Sequence, residues 1–264
     1  MRRTTMMKTL IAAAAVLGLT AGAVQASEGV KIPQQSWDFA GPFGTFDRAA
    51  LKRGYQIYDE ICSGCHSLNL VAYRNLTALG LTEDEVKELA AAKEVPAAPN
   101  EEGATHDDEG NRLMRPALPA DHFVAPYANK QAAMSANSGA VPPDLSLMTK
   151  ARKDGRNYVF ALLTGYKDEA PEGVTIPEGK YFNEYFPGHA ISMAPPLSEE
   201  AVEYADGTKA TLEQEAKDIV TFLTWAAQPE MEQRKQMGLK VLIFLVVLTA
   251  MLYALKRKIW SDVH

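Results

Sequence analysis

The chain has 264 residues, with 27 Lys and Arg against 33 Asp and Glu and a formal net charge of −6. This acidic balance excludes a nucleic-acid partner, whose phosphates call for a basic surface, and suits a basic protein partner or none. Only two cysteines are present, too few to staple a fold through disulfides.

The first residues carry Arg2, Arg3 and Lys8, then an apolar run from Leu10 to Leu19, then Val24-Gln25-Ala26 at a position suited to a signal peptidase. This is the pattern of a secretory signal, and its apolar core is too short to span a bilayer. Cleavage after Ala26 is expected, leaving a chain from Ser27 with 24 basic and 33 acidic residues, net −9. Residues 27–236 are then expected to form one exported domain, long enough for a real core.

Asp47 to Ile61 reads as a helix, with Asp47 as N-cap and Leu51, Tyr55, Tyr58 and Ile61 at helical spacing. Gly54 interrupts it, and an interior glycine, costing about 1 kcal/mol against alanine, usually has a packing reason. The helix leads into Cys62-Ser63-Gly64-Cys65-His66. C-x-x-C-H is the attachment signature of a c-type haem: residues at i, i+3 and i+4 share a face, so two thiols reach the vinyl groups while the imidazole meets the iron. A zinc site would need a second ligand pair, and a thioredoxin-like redox pair would need a preceding strand. Export agrees with the haem reading, because bacteria attach this cofactor on the outer side of the inner membrane.

Thr82 to Ala92 reads as an acidic helix with a capping box from Thr82 to Glu85. Val95 to Asn129 is rich in Pro, Ala, Asn and acidic residues, including Glu101-Glu102 and Asp107-Asp108-Glu109, and is expected to be irregular surface loop. Asn157 to Thr164 reads as a short helix. Thr211 to Gln228 reads as another, with Ile219, Phe222, Leu223 and Ala226 on one face and Trp225 beside it; it is the expected crossing partner for Gly54. Met193 stands ahead of Pro195-Pro196, which fix the backbone around it. On spacing alone, Met193 and His189 compete for the second axial position of the iron. A thioether there would raise the potential and close the site to peroxide or oxygen, favouring electron transfer.

Val241 to Leu255 is uncharged and apolar on every face, flanked by Lys240 and by Lys256-Arg257-Lys258. With Met237, Gly238 and Leu239 it reaches about 19 residues, enough to cross a bilayer with Lys240 snorkelling. A transmembrane anchor over 237–256 and a cytoplasmic tail over 257–264 are expected, with Tyr253 and Trp260 as interfacial aromatics.

Several stretches are specific beyond these patterns: Arg48, Gly54 and Tyr58 running into His66, NSGAVPPDLS from Asn137, YVFALLTGY from Tyr158, YFNEYFPGHAISMAPPL from Tyr181, DGTKAT from Asp206 and MGLK from Met237. On these the chain strongly resembles the cytochrome c1 family, membrane-anchored haem subunits of the cytochrome bc1 complex. The resemblance implies a mainly α fold, a c-type cytochrome haem domain with long irregular loops plus one C-terminal transmembrane helix. It implies one covalent haem c on Cys62 and Cys65, with His66 and Met193 as the iron's metal ligands. Asn137, Pro142, Arg152 and Tyr158 would line the haem, Arg152 pairing with a propionate. Implied partners are cytochrome b, the Rieske iron–sulfur protein, cytochrome c and the membrane, within a dimeric complex of the bacterial inner membrane. Some bacterial relatives brace the methionine loop with a disulfide, and others carry a long acidic N-terminal extension; this chain has neither. The aromatics Tyr181, Phe182, Tyr185 and Phe186 are therefore expected to hold Met193 in place. A free membrane-anchored shuttle and a haem peroxidase are the alternative readings.

Overall fold

A computed structural model of the chain describes residues 30–261, so the expected signal segment lies outside the described residues. Helix α1 (Arg48–Glu60) starts where the Asp47 side chain accepts the Ala49 backbone N–H and stops at Ile61. The thiol motif follows at once as a 3-10 turn over Cys62–Gly64. A second 3-10 segment, Tyr73–Leu79, ends on Gly80 at φ 86°. Helix α2 (Glu83–Ala91) carries the expected capping box: Thr82 Oγ1 accepts the Glu85 N–H and the Glu85 carboxylate accepts the Thr82 N–H.

Strands β1 (Glu94–Pro96) and β2 (Met114–Pro116) pair antiparallel, Val95 opposite Arg115. The stretch from Val95 to Asn129 is otherwise irregular, as expected, and this short pairing is the exception. The chain returns on itself through turns at Asn100–Ala104 and Asp107–Asn111, and an Arg115–Asp121 ion pair at 2.7 Å closes the far end. Phe123, in the same segment, is buried and stacks on Tyr73 with ring centroids 4.6 Å apart. Helices α3 (Lys130–Ala136), α4 (Met148–Ala151) and α5 (Gly155–Thr164) follow, then the two-residue strands β3 (Tyr181–Phe182) and β4 (Ala190–Ile191), also antiparallel. Helix α6 (Leu212–Ala227) is capped by Thr211, and α7 (Met231–Ile259) completes a mainly helical fold.

The core forms where α1 crosses α6. A Cβ on Gly54 would lie 2.2 Å from the Asp218 carbonyl oxygen and 2.7 Å from Phe222 Cβ, so only glycine lets the two backbones approach this closely. Tyr55, Tyr58, Phe222 and Trp225 pack around the crossing, with Tyr55 and Tyr58 each 5.9 Å from Phe222 between ring centroids. A single apolar face was expected on α6, yet every residue from Asp218 to Ala227 is buried. Asp218 is tolerated there because the Arg53 guanidinium donates to both of its oxygens, at 2.7 and 3.1 Å; a buried carboxylate needs such pairing.

Helix α7 spans 29 residues, beyond the expected 237–256 at both ends. At about 1.5 Å per residue it is about 43 Å long, and none of its apolar stretch is buried. Its first turn is part of the domain: Met231 is buried, and Glu232 accepts from Arg48 at 2.6 Å and from the Phe46 N–H at 2.7 Å.

A methyl group at residue 54 has nowhere to go but into backbone. Gly54→Ala should therefore cost more than the about 1–3 kcal/mol typical of overpacking, despite alanine's higher helix propensity. Denaturant unfolding of the haem-loaded chain checks this; a neutral or stabilising result would mean that the two backbones do not meet at this residue.

Candidate haem site

His66 closes the thiol motif with a mixed turn: the N–H groups of Cys65 and His66 both donate to the Cys62 carbonyl, at 3.1 and 2.9 Å. Neither cysteine is in a disulfide; Cys62 is half-buried and Cys65 exposed. Burial pushes the Cys62 thiol up to about 12. Tyr58, buried in the α1–α6 crossing, donates its hydroxyl to the His66 carbonyl at 3.2 Å. The motif is thereby tied to the core on which α1 rests.

The segment just after the motif is laced to residues 143–146. His66 Nδ1 lies 2.8 Å from the Pro143 carbonyl oxygen, a group that only accepts, so Nδ1 carries the proton. Ser67 Oγ and the Asn69 N–H donate to Asp144 Oδ2 at 2.8 and 2.9 Å, the Leu145 N–H donates to the Ser67 carbonyl, and the Leu70 N–H donates to Ser146 Oγ. Burial alone would raise Asp144, but hydrogen bonds from Asn69, Ser146 and Ser67 outweigh it and hold the carboxyl below its usual range. Burial also lowers His66, against the opposing Pro143 bond, which favours a neutral imidazole. With Nδ1–H committed, Nε2 keeps its lone pair for a metal, the usual arrangement of a ligating histidine.

The donor set fits a covalent haem on this observation: cysteines at i and i+3 outside any disulfide and an oriented imidazole at i+4 share one turn. No group of three or more His, Cys, Asp or Glu suited to holding a bare metal ion occurs among the described residues. Of the sequence-predicted pocket residues, Pro142 is half-buried directly before the Pro143 acceptor. Asn137 caps α3 and donates its side-chain amide to the Ala133 carbonyl at 2.7 Å. Arg152 and Tyr158 are electrostatic neighbours: burial raises the Tyr158 hydroxyl, and the Arg152 charge lowers it. Arg152 is exposed.

Met193 lies half-buried two residues after β4, and its carbonyl accepts from the Tyr166 hydroxyl at 3.1 Å. The hairpin before it is organised by Asn183, fully buried, rather than by the aromatics alone. Asn183 donates its amide to the Leu162 carbonyl at 2.8 Å and accepts the N–H groups of Tyr185 and Phe186 at 3.0 and 3.1 Å. Of the four aromatics expected to brace the loop, Tyr181 is 43% exposed, so it does not. Phe182 is buried and stacks on His189 at 5.7 Å. Tyr185 occupies the space above Gly165, where a Cβ would come within 2.4 Å of its ring. His189, the rival ligand, sits at φ 59° with Nδ1 3.2 Å from the Asn183 carbonyl oxygen, so its visible contacts are those of a hairpin residue. Sequence reading missed Pro143, Asp144, Tyr166 and Asn183. The first two were within a stretch singled out as specific, and an asparagine inside an aromatic run was the available signal for the last.

A profile described as the Cytochrome C1 family matches residues 37–263. Cytochrome c1 of Rhodospirillum rubrum is 50% identical, over 98% of this chain and 99% of that protein. A mitochondrial cytochrome c1 haem protein of Arabidopsis thaliana is 50% identical over 91% of this chain and 76% of its own. A Candida albicans protein named as the cytochrome b-c1 complex catalytic subunit, mitochondrial, is 47% identical over 93% of this chain and 83% of its own. The thiol motif, the helical fold and the exposed C-terminal helix thus meet matches over nearly the whole sequence, and the chain belongs to the cytochrome c1 family, the c-type haem subunits of the cytochrome bc1 complex.

Proposed function

We propose that this chain accepts one electron from the Rieske iron–sulfur protein and passes it to a cytochrome c, bound beside cytochrome b in a dimeric bc1 complex. The observation that carries this reading is the His66 imidazole, oriented through Nδ1 by Pro143 and lodged on one turn with Cys62 and Cys65. Cys62 and Cys65 would hold one haem covalently; His66 Nε2 and the Met193 thioether would be its axial ligands. A haem held this way supplies a one-electron couple and no vacant coordination position.

The protein's own contribution is positioning. Pro143 fixes the tautomer and ring plane of His66; Tyr166 fixes the backbone at Met193; Asn183 holds the hairpin that delivers it. Pro142, Asn137, Tyr158 and Arg152 would enclose the haem, with Arg152 available to a propionate. Residues 1–26 are proposed to direct export, 27–236 to lie in the periplasm, 237–256 to cross the inner membrane and 257–264 to face the cytoplasm. Lys256, Arg257 and Lys258 in the last turn of α7 agree with that orientation. No bond-making chemistry is assigned to the chain.

Met193→Leu tests the ligand assignment. The variant should keep covalent haem yet lose a sizeable share of the roughly 0.8 V that axial ligation spans, and its reduced form should bind carbon monoxide. An unchanged potential and no carbon monoxide binding would transfer the ligand role to another group. Asn183→Ala tests the support: stranding buried hydrogen-bond partners should cost about 1–3 kcal/mol. Carbon monoxide should then displace the sulfur more readily than in the parent, whereas Tyr181→Ala, at an exposed position, should leave both readouts unchanged.

A further inference from the structure

The segment between Phe39 and Phe46 is built as a projecting turn. Its two ends are buried aromatics, 2% and 5% exposed, with ring centroids 5.0 Å apart. Between them Ala40-Gly41-Pro42-Phe43-Gly44-Thr45 carries no charge, and Gly41 turns the chain at φ 72°. Phe43 at the tip is 77% exposed, the most exposed large apolar side chain among the described residues. One exposed phenylalanine means little by itself; its location gives it meaning.

Lys235 Nζ donates to the Phe39 and Gly44 carbonyls at 2.7 and 2.8 Å, clamping both ends of the turn onto α7. Lys235 stands two residues, about 3 Å of helix rise, before Met237, where the exposed apolar surface of α7 begins. Phe43 adjoins the clamped Gly44, its Cα about 3.8 Å away, so the tip stays near that attachment. The turn is tight: a Cβ on Gly44 would lie 2.1 Å from the Ala40 carbonyl oxygen. Arg156 stacks its guanidinium over the Phe39 ring at 5.8 Å, and the Glu232 carboxylate accepts the Phe46 N–H at 2.7 Å and faces Lys235, so charges of both signs sit at the base of the turn and none at its tip. An uncharged tip, an aromatic apex and attachment beside the start of an apolar helix are the chemistry of a membrane-interface anchor.

We propose that the turn 40–45 is a second membrane contact of this domain, with Phe43 seated at the boundary between headgroups and acyl chains beside the start of α7. It rests on the reading of α7 as a membrane span. Together the helix and the turn give two points of attachment, which fix the tilt of the domain over the bilayer as one helix alone does not.

The full-length, haem-loaded chain in vesicles of phosphatidylcholine and phosphatidylglycerol at 3:1 is the test material. A nitroxide is placed by Phe43→Cys and, in a second variant that leaves the aromatic intact, by Pro42→Cys; Val246→Cys marks the apolar helix and Glu102→Cys marks water. Collision of each label with oxygen and with an aqueous nickel chelate is read by power saturation, the unsubstituted chain serving as blank. Turn labels should show a several-fold higher oxygen-to-nickel ratio than Glu102→Cys. A ratio equal to that of Glu102→Cys overturns the proposal, as does a label closed to both reagents, which would mean the turn packs against protein. If Val246→Cys is itself open to nickel, the span reading fails first, and the proposal falls with it.

Discussion

The approach of α1 to α6 at Gly54 is the constraint on which the haem site depends. Because the Asp218 carbonyl passes where a side chain would sit, the two helices lock at one crossing, and the ring cluster of Tyr55, Tyr58, Phe222 and Trp225 fills the angle between them. Tyr58 then reaches from that cluster to the His66 carbonyl. The position of the proposed iron ligand is thus inherited from the packing of α1 on α6 rather than from the motif itself. Arg53, one residue before Gly54, neutralises the buried Asp218 carboxylate at the same crossing, so close packing and charge pairing reinforce each other.

Around this crossing the site is assembled by segments distant in sequence. Residues 143–146 bond to residues 66–70 and hold the His66 ring from outside, while Asn183 and Tyr166 fix the loop that carries Met193. Two proposed ligands held in this way would suit an electron carrier, because little would need to rearrange when the charge on the centre changes. The Glu232 and Lys235 contacts extend the same rigidity to α7, whose first turn belongs to the domain and whose remainder exposes apolar surface.

Much of this was legible in the sequence, for local reasons. Asp47 and Thr82 each cap the helix they were expected to cap, since an N-cap is a contact over two or three residues. Gly54 pointed to a close crossing because a glycine inside a helix weakens it unless another backbone needs the space. The pairing of β1 with β2 was not legible: its strands are short, contain Pro96 and Pro116, and lie across an acidic stretch that reads as loop. Nor was the His66–Pro143 bond, which spans 77 residues and uses a backbone carbonyl that no side-chain pattern announces. Burial of Asp218 was hidden because a carboxylate reads as solvent-facing until its arginine partner, 165 residues away, is found.

The axial pair is the central claim, since it decides between a closed electron carrier and an open haem enzyme. Near-infrared magnetic circular dichroism of the oxidised full-length chain reads it directly. A low-spin haem with a thioether-to-iron charge-transfer band is the expected result. A bis-imidazole signature would put His189 in place of Met193, and a high-spin spectrum would leave the sixth position open; either would contradict the account.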